Sequence, residues 1–389
     1  VVSAMGKTTN ALELIVEALF KRDEQEFSRL VNECRQFHKE IMQELFKDDN
    51  NPVFNEVDNQ FQELSKSFHE RVPDNYNFEY DQVVSLGEIL STRIVNAFLN
   101  KTGIRSNWID AREIIRTNNK YREGEVDWKK TEELFQSKFS PKFNDFEVQV
   151  TQGFIGHTSE GLTTTLGREG SDYTAGIMAF CCNAESVTIW KDVPGMLNAD
   201  PKWFDNTIKL DSISFHEAIE LSYYGASVIH PKTLKPLQNK NIPLYVKSFI
   251  DPAAEGTIIH ASTKKDHLIP SFIFKMNQVL FSFTPKDFSF IVEENLSDIF
   301  KRLAKASAKI NLMQNSALNF SILLDEGKVD INEIIALFED TYLVKYNQGL
   351  ELVTIRHYDT ATIERVTVNK EVILQQKTRE TARFIVKQK

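Results

Sequence analysis

The sequence predicts an α/β protein with a largely parallel sheet, followed by a smaller α+β region of ferredoxin-like pattern. Three observations carry this. Short apolar strands alternate with helical segments between about 147 and 249. Glycines gather in one stretch, GFIGHTSEGLTTTLGREGSDYTAG (153–176), which holds six of the fifteen in 389 residues. After Ile259 the character changes, and strand–helix–strand–strand recurs twice in the last 120 residues or so.

The elements run in order. Val1 and Val2 predict the end of a buried strand, with a further N-terminal segment expected before them. Asn10 is the expected N-cap of a helix over ALELIVEALF. Charge-rich helical sequence continues to about residue 70, with breaks at Pro52 and Pro73. SLGEILSTRIVNAFL (85–99) predicts a loop opening a helix, and 104–116 a strand with a turn or short helix. Residues 118–145 read as polar and irregular. EVQVTQGFIG alternates as a strand and stops at glycine, and DYTAGIMAFCCNA continues as a helix. Then come a strand and loop (186–201), a helix ending near Gly225 (214–226) and a strand (241–249). HASTKKDHLIP is a polar link. FIFKMNQVLFSF, INLMQ, LNFSILLD, LELVTIRHY, EVILQQ and ARFIVK predict strands, with helices at LSDIFKRLAKASA and INEIIALFED.

Composition narrows the function. With 46 basic against 55 acidic residues the net charge is −9, and no basic stripe of the kind that tracks nucleic acid occurs. No apolar run reaches the ~18 residues of a membrane span. The three cysteines, Cys34, Cys181 and Cys182, have no disulfide or zinc spacing; the latter two are expected as small buried residues on a helix, and a reducing cytoplasm is expected.

Open α/β sheets bind ligands at the carboxyl ends of their strands. Glycines there let backbone N–H groups approach an anion, and a helix N-terminus adds partial positive charge. Arg168 could grip a carboxylate with two parallel hydrogen bonds. Thr163, Thr164 and Thr165 offer hydroxyls. The same stretch also reads as a plain turn, with Ser171 or Asp172 capping the helix; both readings stay open at this point. No GxGxxG occurs. MGKTTN (5–10) ends like a P-loop, but Val1 stands where the first glycine would be needed.

Several separated motifs resemble the aspartokinases of the amino-acid kinase family. VVSAMGKTTN resembles their Ser-Ala…Thr-Asn loop, and SLGE (85–88) their Ser-x-Gly-Glu. TTLGREGSDYTA (164–175) resembles their glycine-rich core, and IWKDVPGMLNADP (189–201) their nucleotide loop. LSYYGASVIHPKTLKP (221–236) and DPAAEGTII (251–259) match as well. The resemblance implies a three-layer αβα kinase domain over 1–262 and tandem ACT-type regulatory domains over 263–389. It also implies a reaction: ATP and aspartate give 4-phosphoaspartate and ADP. The nucleophile is a carboxylate already ionised at neutral pH, so the site needs positioning and charge neutralisation more than a general base.

Carried over by motif, Arg168 would clamp the α-carboxylate and Glu88 would receive the ammonium. Thr9 and Ser171 would add hydrogen bonds, and Asp172 would organise the reacting centre. Gly153 and Gly156 would admit the phosphates, and Lys191, Asp192 and Lys202 would hold the nucleotide; ATP and Mg2+ are the implied cofactors, with no metal-ligating residue assigned. The family's Lys-Phe-Gly-Gly-Thr segment is expected ahead of Val1. Glu169, Lys191, Lys202 and Ser227 depart from the family's usual glycine, threonine, arginine and lysine. The ACT resemblance implies a lysine or threonine effector, a homodimer, and contacts at Asp287, Phe288, Asn311, Gln314, Asn315 and Ser316. The rival readings are a non-catalytic amino-acid sensor and a different amino-acid kinase. No nucleic-acid or membrane partner is expected.

Overall fold

The computed structural model describes residues 1–47, 50–70, 72–226 and 229–389, with only the backbone for 142–144. It divides into two compact units, Val1–Ile189 with Ile229–Tyr245, and Trp190–Val228 with Val246–Lys389.

The first unit opens with five helices: α1 (Thr8–Lys21), α2 (Glu24–Phe46), α3 (Val53–Glu70), α4 (Tyr76–Val84) and α5 (Leu86–Lys101). Their apolar stripes close on one core. Leu12, Ile15, Leu19, Phe27, Val31, Phe46, Phe61, Val84 and Leu90 are all buried in it. Asp23 caps α2 by accepting from the Glu26 N–H at 3.0 Å. Helix α1 starts earlier than expected, so Asn10 lies inside it and caps nothing. Gly6, with φ +53°, and the Thr8 hydroxyl bonded to the Met5 carbonyl turn the chain three residues sooner. Nor is Ser85 in a loop: its φ and ψ are −58° and −21°, and it joins α4 directly to α5.

The chain continues with β1 (Ser106–Ile109), α6 (Trp128–Lys138), β2 (Val148–Thr151), β3 (Ile155–His157), β4 (Thr163–Thr165), α7 (Gly170–Cys182) and β5 (Val187–Lys191). Strands β1 and β2 pair in parallel, and Val2 adds an isolated parallel bridge to Gln152. Val2 thus extends that sheet as expected, whereas Val1 is 47% exposed. Helix α6 runs through the segment expected to be irregular. Asp127 caps it, and Trp128 packs on Phe180 of α7. Cys181 is buried on α7 and Cys182 half-buried.

The chain then contributes β6 (Ser212–Ser214) and α8 (Phe215–Tyr224) to the second unit and returns with α9 (Pro231–Lys240), which packs on α7 where Gly176 meets the Thr233 carbonyl. β7 (Leu244–Ser248) and β8 (Thr257–His260) come next, and a four-stranded sheet runs in the order β5-β7-β8-β6, with β6 and β8 parallel.

The rest of the second unit is one antiparallel sheet. Its elements are β9 (Ser271–Pro285), α10 (Glu293–Lys305), β10 (Ile310–Asn315), β11 (Phe320–Asp325), α11 (Ile331–Phe338), β12 (Tyr342–Arg356), α12 (Thr360–Thr367), β13 (Lys370–Lys377) and β14 (Thr381–Gln388). The strand order is β10-β11-β9-β12-β14-β13. Strands β9 and β12 are shared by two half-sheets. They are interrupted where Asn277 and Gly349 take φ of +52° and +65° and the register shifts. Beyond Asn277, β9 pairs with β11 beneath α10 and α11; before it, β9 pairs only with the far half of β12, beside β14 and α12. One ferredoxin-like unit is therefore nested inside the other, not strung after it. The reason is that the long β9 supplies a strand to both.

Candidate active site

The glycine stretch folds back so that a strand end and a helix start interlock. A Cβ on Gly153 would sit 2.5 Å from the Ser171 Cβ and Oγ, and one on Gly170 2.5 Å from the Phe154 ring. Only bare backbone lets β3 and α7 approach this closely. Phe154 takes φ +68°, and its N–H bonds the Thr174 hydroxyl at 3.0 Å. A Cβ on Gly156 would lie 2.8 Å from the Thr117 Cγ2, a packing demand of its own. Glu169, at φ +55°, holds the N-cap position of α7 and makes no side-chain cap bond. Neither Ser171 nor Asp172 is the cap; both lie in the first helical turn, half-buried.

Glu88 stands in the first turn of α5 and is 3% exposed. Its Oε1 accepts from the Ala4 N–H at 3.4 Å, and its Oε2 has no hydrogen-bond partner among the described residues. Burial pushes its pKa up to about 7, against the pull of the Ala4 bond. Gly87 permits this placement, because a Cβ there would lie 3.0 Å from the Ala4 Cβ. Thr9 is half-buried in the first turn of α1. Arg168 is exposed, and its charge helps to lower the pKa of His230, after the larger effect of burial.

The threonines differ from expectation. Thr164 and Thr165 are fully buried and committed internally: Thr164 Oγ1 bonds Thr117 Oγ1 at 2.6 Å, and Thr165 Oγ1 donates to Asp81 at 2.7 Å. They hold the loop and have no hydroxyl to spare for a ligand. Asp81 is one of the residues that sequence reasoning missed. Gln152 is another: its buried amide bridges the Ala111 N–H and the Thr92 hydroxyl behind the strand ends.

Lys191, Asp192 and Lys202 belong to the second unit. Asp192 and Lys202 are exposed and Lys191 half-buried. Their loop is pinned: the Met196 N–H bonds Thr257 Oγ1 at 2.8 Å, and buried Asn198 ties the Ile208 N–H to the Pro270 carbonyl. Ser227 lies outside the described residues. Among the expected effector contacts, the segment carrying Asp287 and Phe288 adjoins the turn after Asn315 and Ser316, through the Ile291 N–H bonded to the Ala317 carbonyl at 2.9 Å. Gln314 pairs with Ser321 in the edge strand. Asn311 is apart from these, at the opposite end of β10. There it is bonded by Lys275 and donates to Gln278 and Asp325.

Residues 1–248 match the model of the amino acid kinase family. The chain is 34% identical over 300 residues to lysine-sensitive aspartokinase 3 of Escherichia coli, covering 75% of this chain and 66% of that protein. It is 30% identical over 342 residues to the chloroplastic aspartokinase 1 of Arabidopsis thaliana, covering 86% and 59%. It thus spans under two thirds of the length of these curated relatives. Among solved structures, it resembles E. coli aspartokinase III in complex with aspartate and ADP (R-state), with TM-score 0.82 and 27% identity over 99% of this chain and 88% of that one. The same enzyme in complex with lysine and aspartate (T-state) gives TM-score 0.81 over the same shares. The motifs, the paired ferredoxin-like units and these likenesses agree: the chain belongs to the amino acid kinase family, on its aspartokinase branch.

Proposed function

We propose that this chain phosphorylates aspartate, transferring the γ-phosphoryl group of ATP to the side-chain carboxylate to give 4-phospho-L-aspartate and ADP. The observation that carries this reading is Glu88, a buried acid with one oxygen left over. A buried polar atom without a hydrogen-bond partner costs stability, and a substrate ammonium is its natural partner. Binding it would draw Glu88 into its charged form.

The remaining roles rest on chemistry. Arg168, exposed beside the interlocked glycines, would grip the α-carboxylate. Thr9 and Ser171 would fix the substrate by hydrogen bonds, and Asp172 would organise the reacting centre. The first turn of α7 would offer N–H groups to the transferring phosphate. Gly153 and Gly156 would keep the adjoining backbone slim, and Lys191, Asp192 and Lys202 would serve the nucleotide. Mg2+ would arrive on the triphosphate, since it is held chiefly by phosphate oxygens and water. The attacking carboxylate is ionised at neutral pH, so catalysis rests on in-line placement and charge neutralisation.

We further read the chain as a kinase domain with paired ACT-type units, working as a cytoplasmic homodimer under feedback by lysine or threonine. No helix among the described residues is long and apolar enough to cross a membrane. The test is ATP-dependent acyl-phosphate formation, trapped as a hydroxamate, with aspartate and glutamate in competition and with lysine or threonine added. Aspartate-selective product supports the reading. No product, with lysine or threonine still bound, would favour an amino-acid sensor.

A further inference from the structure

Asp81 is completely buried on α4, yet among the described residues its carboxylate has no cation as a partner within hydrogen-bond distance. It is held by three donors on two distant segments. Oδ1 accepts from Thr165 Oγ1 at 2.7 Å, Oδ2 from the Thr165 N–H at 3.0 Å, and both from the Arg122 N–H at 3.2 and 3.0 Å. The neighbouring Gln82 donates to the Thr163 carbonyl at 2.8 Å. Helix α4 therefore grips both ends of the short strand β4.

Beyond β4 the chain leads straight to the candidate site. Leu166 is fully buried with its N–H on the Phe154 carbonyl at 2.8 Å, Gly167 turns at φ +80°, and Arg168 comes next. The same last turn of α4 passes through Ser85 straight into α5, whose first turn carries Glu88. One helical pair thus bears the acid that would take an ammonium and fastens the strand from which the chain turns, through Leu166 and Gly167, to the guanidinium. An α-amino acid carries both its charges on one carbon, so its two counter-charges must be held at a single spacing.

We infer that Asp81 is a positioning residue: by clamping β4 to α4 it sets Arg168 against Glu88, and so governs affinity for an amino acid's paired ammonium and carboxylate. The inference rests on the aspartate reading above. Burial raises the Asp81 pKa to about 6 despite its donors, so it keeps its charge at neutral pH. Asn in its place would turn an amide N–H toward the backbone donors it now accepts from.

The test is calorimetric titration of the full chain with L-aspartate, and separately with MgADP, for the wild type, Asp81→Asn, Thr165→Val and Thr165→Ser. An amide donor set against buried N–H groups carries the cost of unsatisfied buried polar groups, so Asp81→Asn is expected to weaken aspartate at least about tenfold. Losing one hydroxyl bond is worth about fivefold, so Thr165→Val weakens aspartate by that much and Thr165→Ser restores it. MgADP affinity stays within about twofold in all of them, a split that general loss of folding does not produce. Should Asp81→Asn fail to fold, the Thr165 pair decides. Wild-type aspartate affinity in Thr165→Val, or equal loss of aspartate and MgADP, overturns the inference alone. A wild-type chain that binds MgADP but not aspartate overturns the reading beneath it, and the inference with it.

Discussion

Arg356 and Glu217 form a two-pronged ion pair, Nε to Oε1 at 3.1 Å and Nη2 to Oε2 at 2.6 Å, with side chains 5% and 4% exposed. Glu217 lies on α8, within the region that matches the kinase family, and Arg356 ends β12 of the antiparallel sheet. The pair joins those two parts inside one compact unit. Burial alone would raise the Glu217 pKa, but His357, 3.1 Å away, and Arg356 outweigh it and hold it below the ordinary value. Removing one partner strands a buried charge, so Arg356→Ala is expected to cost about 3–5 kcal/mol. Chemical denaturation would show it, with Arg356→Met/Glu217→Leu costing less. Because the folded pKa is depressed, the pair's contribution is present above the ordinary glutamate range and is lost only as pH falls below it.

Glu88 predicts a different pH dependence. Its folded pKa, raised by burial to about 7, favours the empty folded state at low pH, and that contribution is lost as pH rises from the ordinary range through 7. An ammonium needs the charged form. Aspartate affinity should therefore climb between about pH 6 and pH 8, approaching tenfold per unit below the pKa. Glu88→Gln should bind weakly and show a flat profile. Calorimetry across that range checks both.

Gly153→Ala is expected to destabilise by about 1–3 kcal/mol. The new methyl would meet the Ser171 Cβ and Oγ at 2.5 Å and its Cα at 2.7 Å, and no side-chain rotation relieves a clash with Cα. Thermal melting measures the loss, and aspartate protection against melting should fall with it.

His38 is fully buried between Phe37 and Phe61. Its Nδ1 lies 2.8 Å from the Cys34 carbonyl, and Nε2 has no partner among the described residues. Burial lowers its pKa. Its neutral form therefore contributes stability above about pH 6.5, which is lost as acid forces protonation, at up to about 1.4 kcal/mol per pH unit. His38→Leu should flatten the fall in denaturation midpoint between about pH 6.5 and pH 5.

Where local chemistry marked an element, the sequence was enough. Strand β2, helix α7, and the strands and two of the three helices of the C-terminal sheet stood out by period and punctuation; the expected single strand over EVQVTQGFIG instead breaks after Thr151, and its second part pairs in a separate hairpin with β4. Helix α6 did not, because WKKTEELFQSK buries only Thr131 and Phe135. Nor did α4, whose inward face carries Glu79 and Asp81 and so breaks the apolar rhythm. Asp81 was invisible as a clamp because its partners lie 41 and 84 residues away. The nesting of the ferredoxin-like units was hidden for the same reason: the first half of β9 pairs with a strand some eighty residues on. Glu88 and Arg168 were legible only through the motifs around them, since an isolated acid near a helix start usually serves the helix.

The central claim is that Glu88 and Arg168 divide the two charges of one amino acid. Binding of L-aspartate, succinate (no ammonium) and β-alanine (no α-carboxylate) to the wild type, Glu88→Gln and Arg168→Met tests it most directly. Glu88→Gln is expected to abolish the preference for aspartate over succinate but keep that over β-alanine, with the reverse for Arg168→Met. Glu88→Gln binding aspartate over succinate as strongly as the wild type does would contradict it.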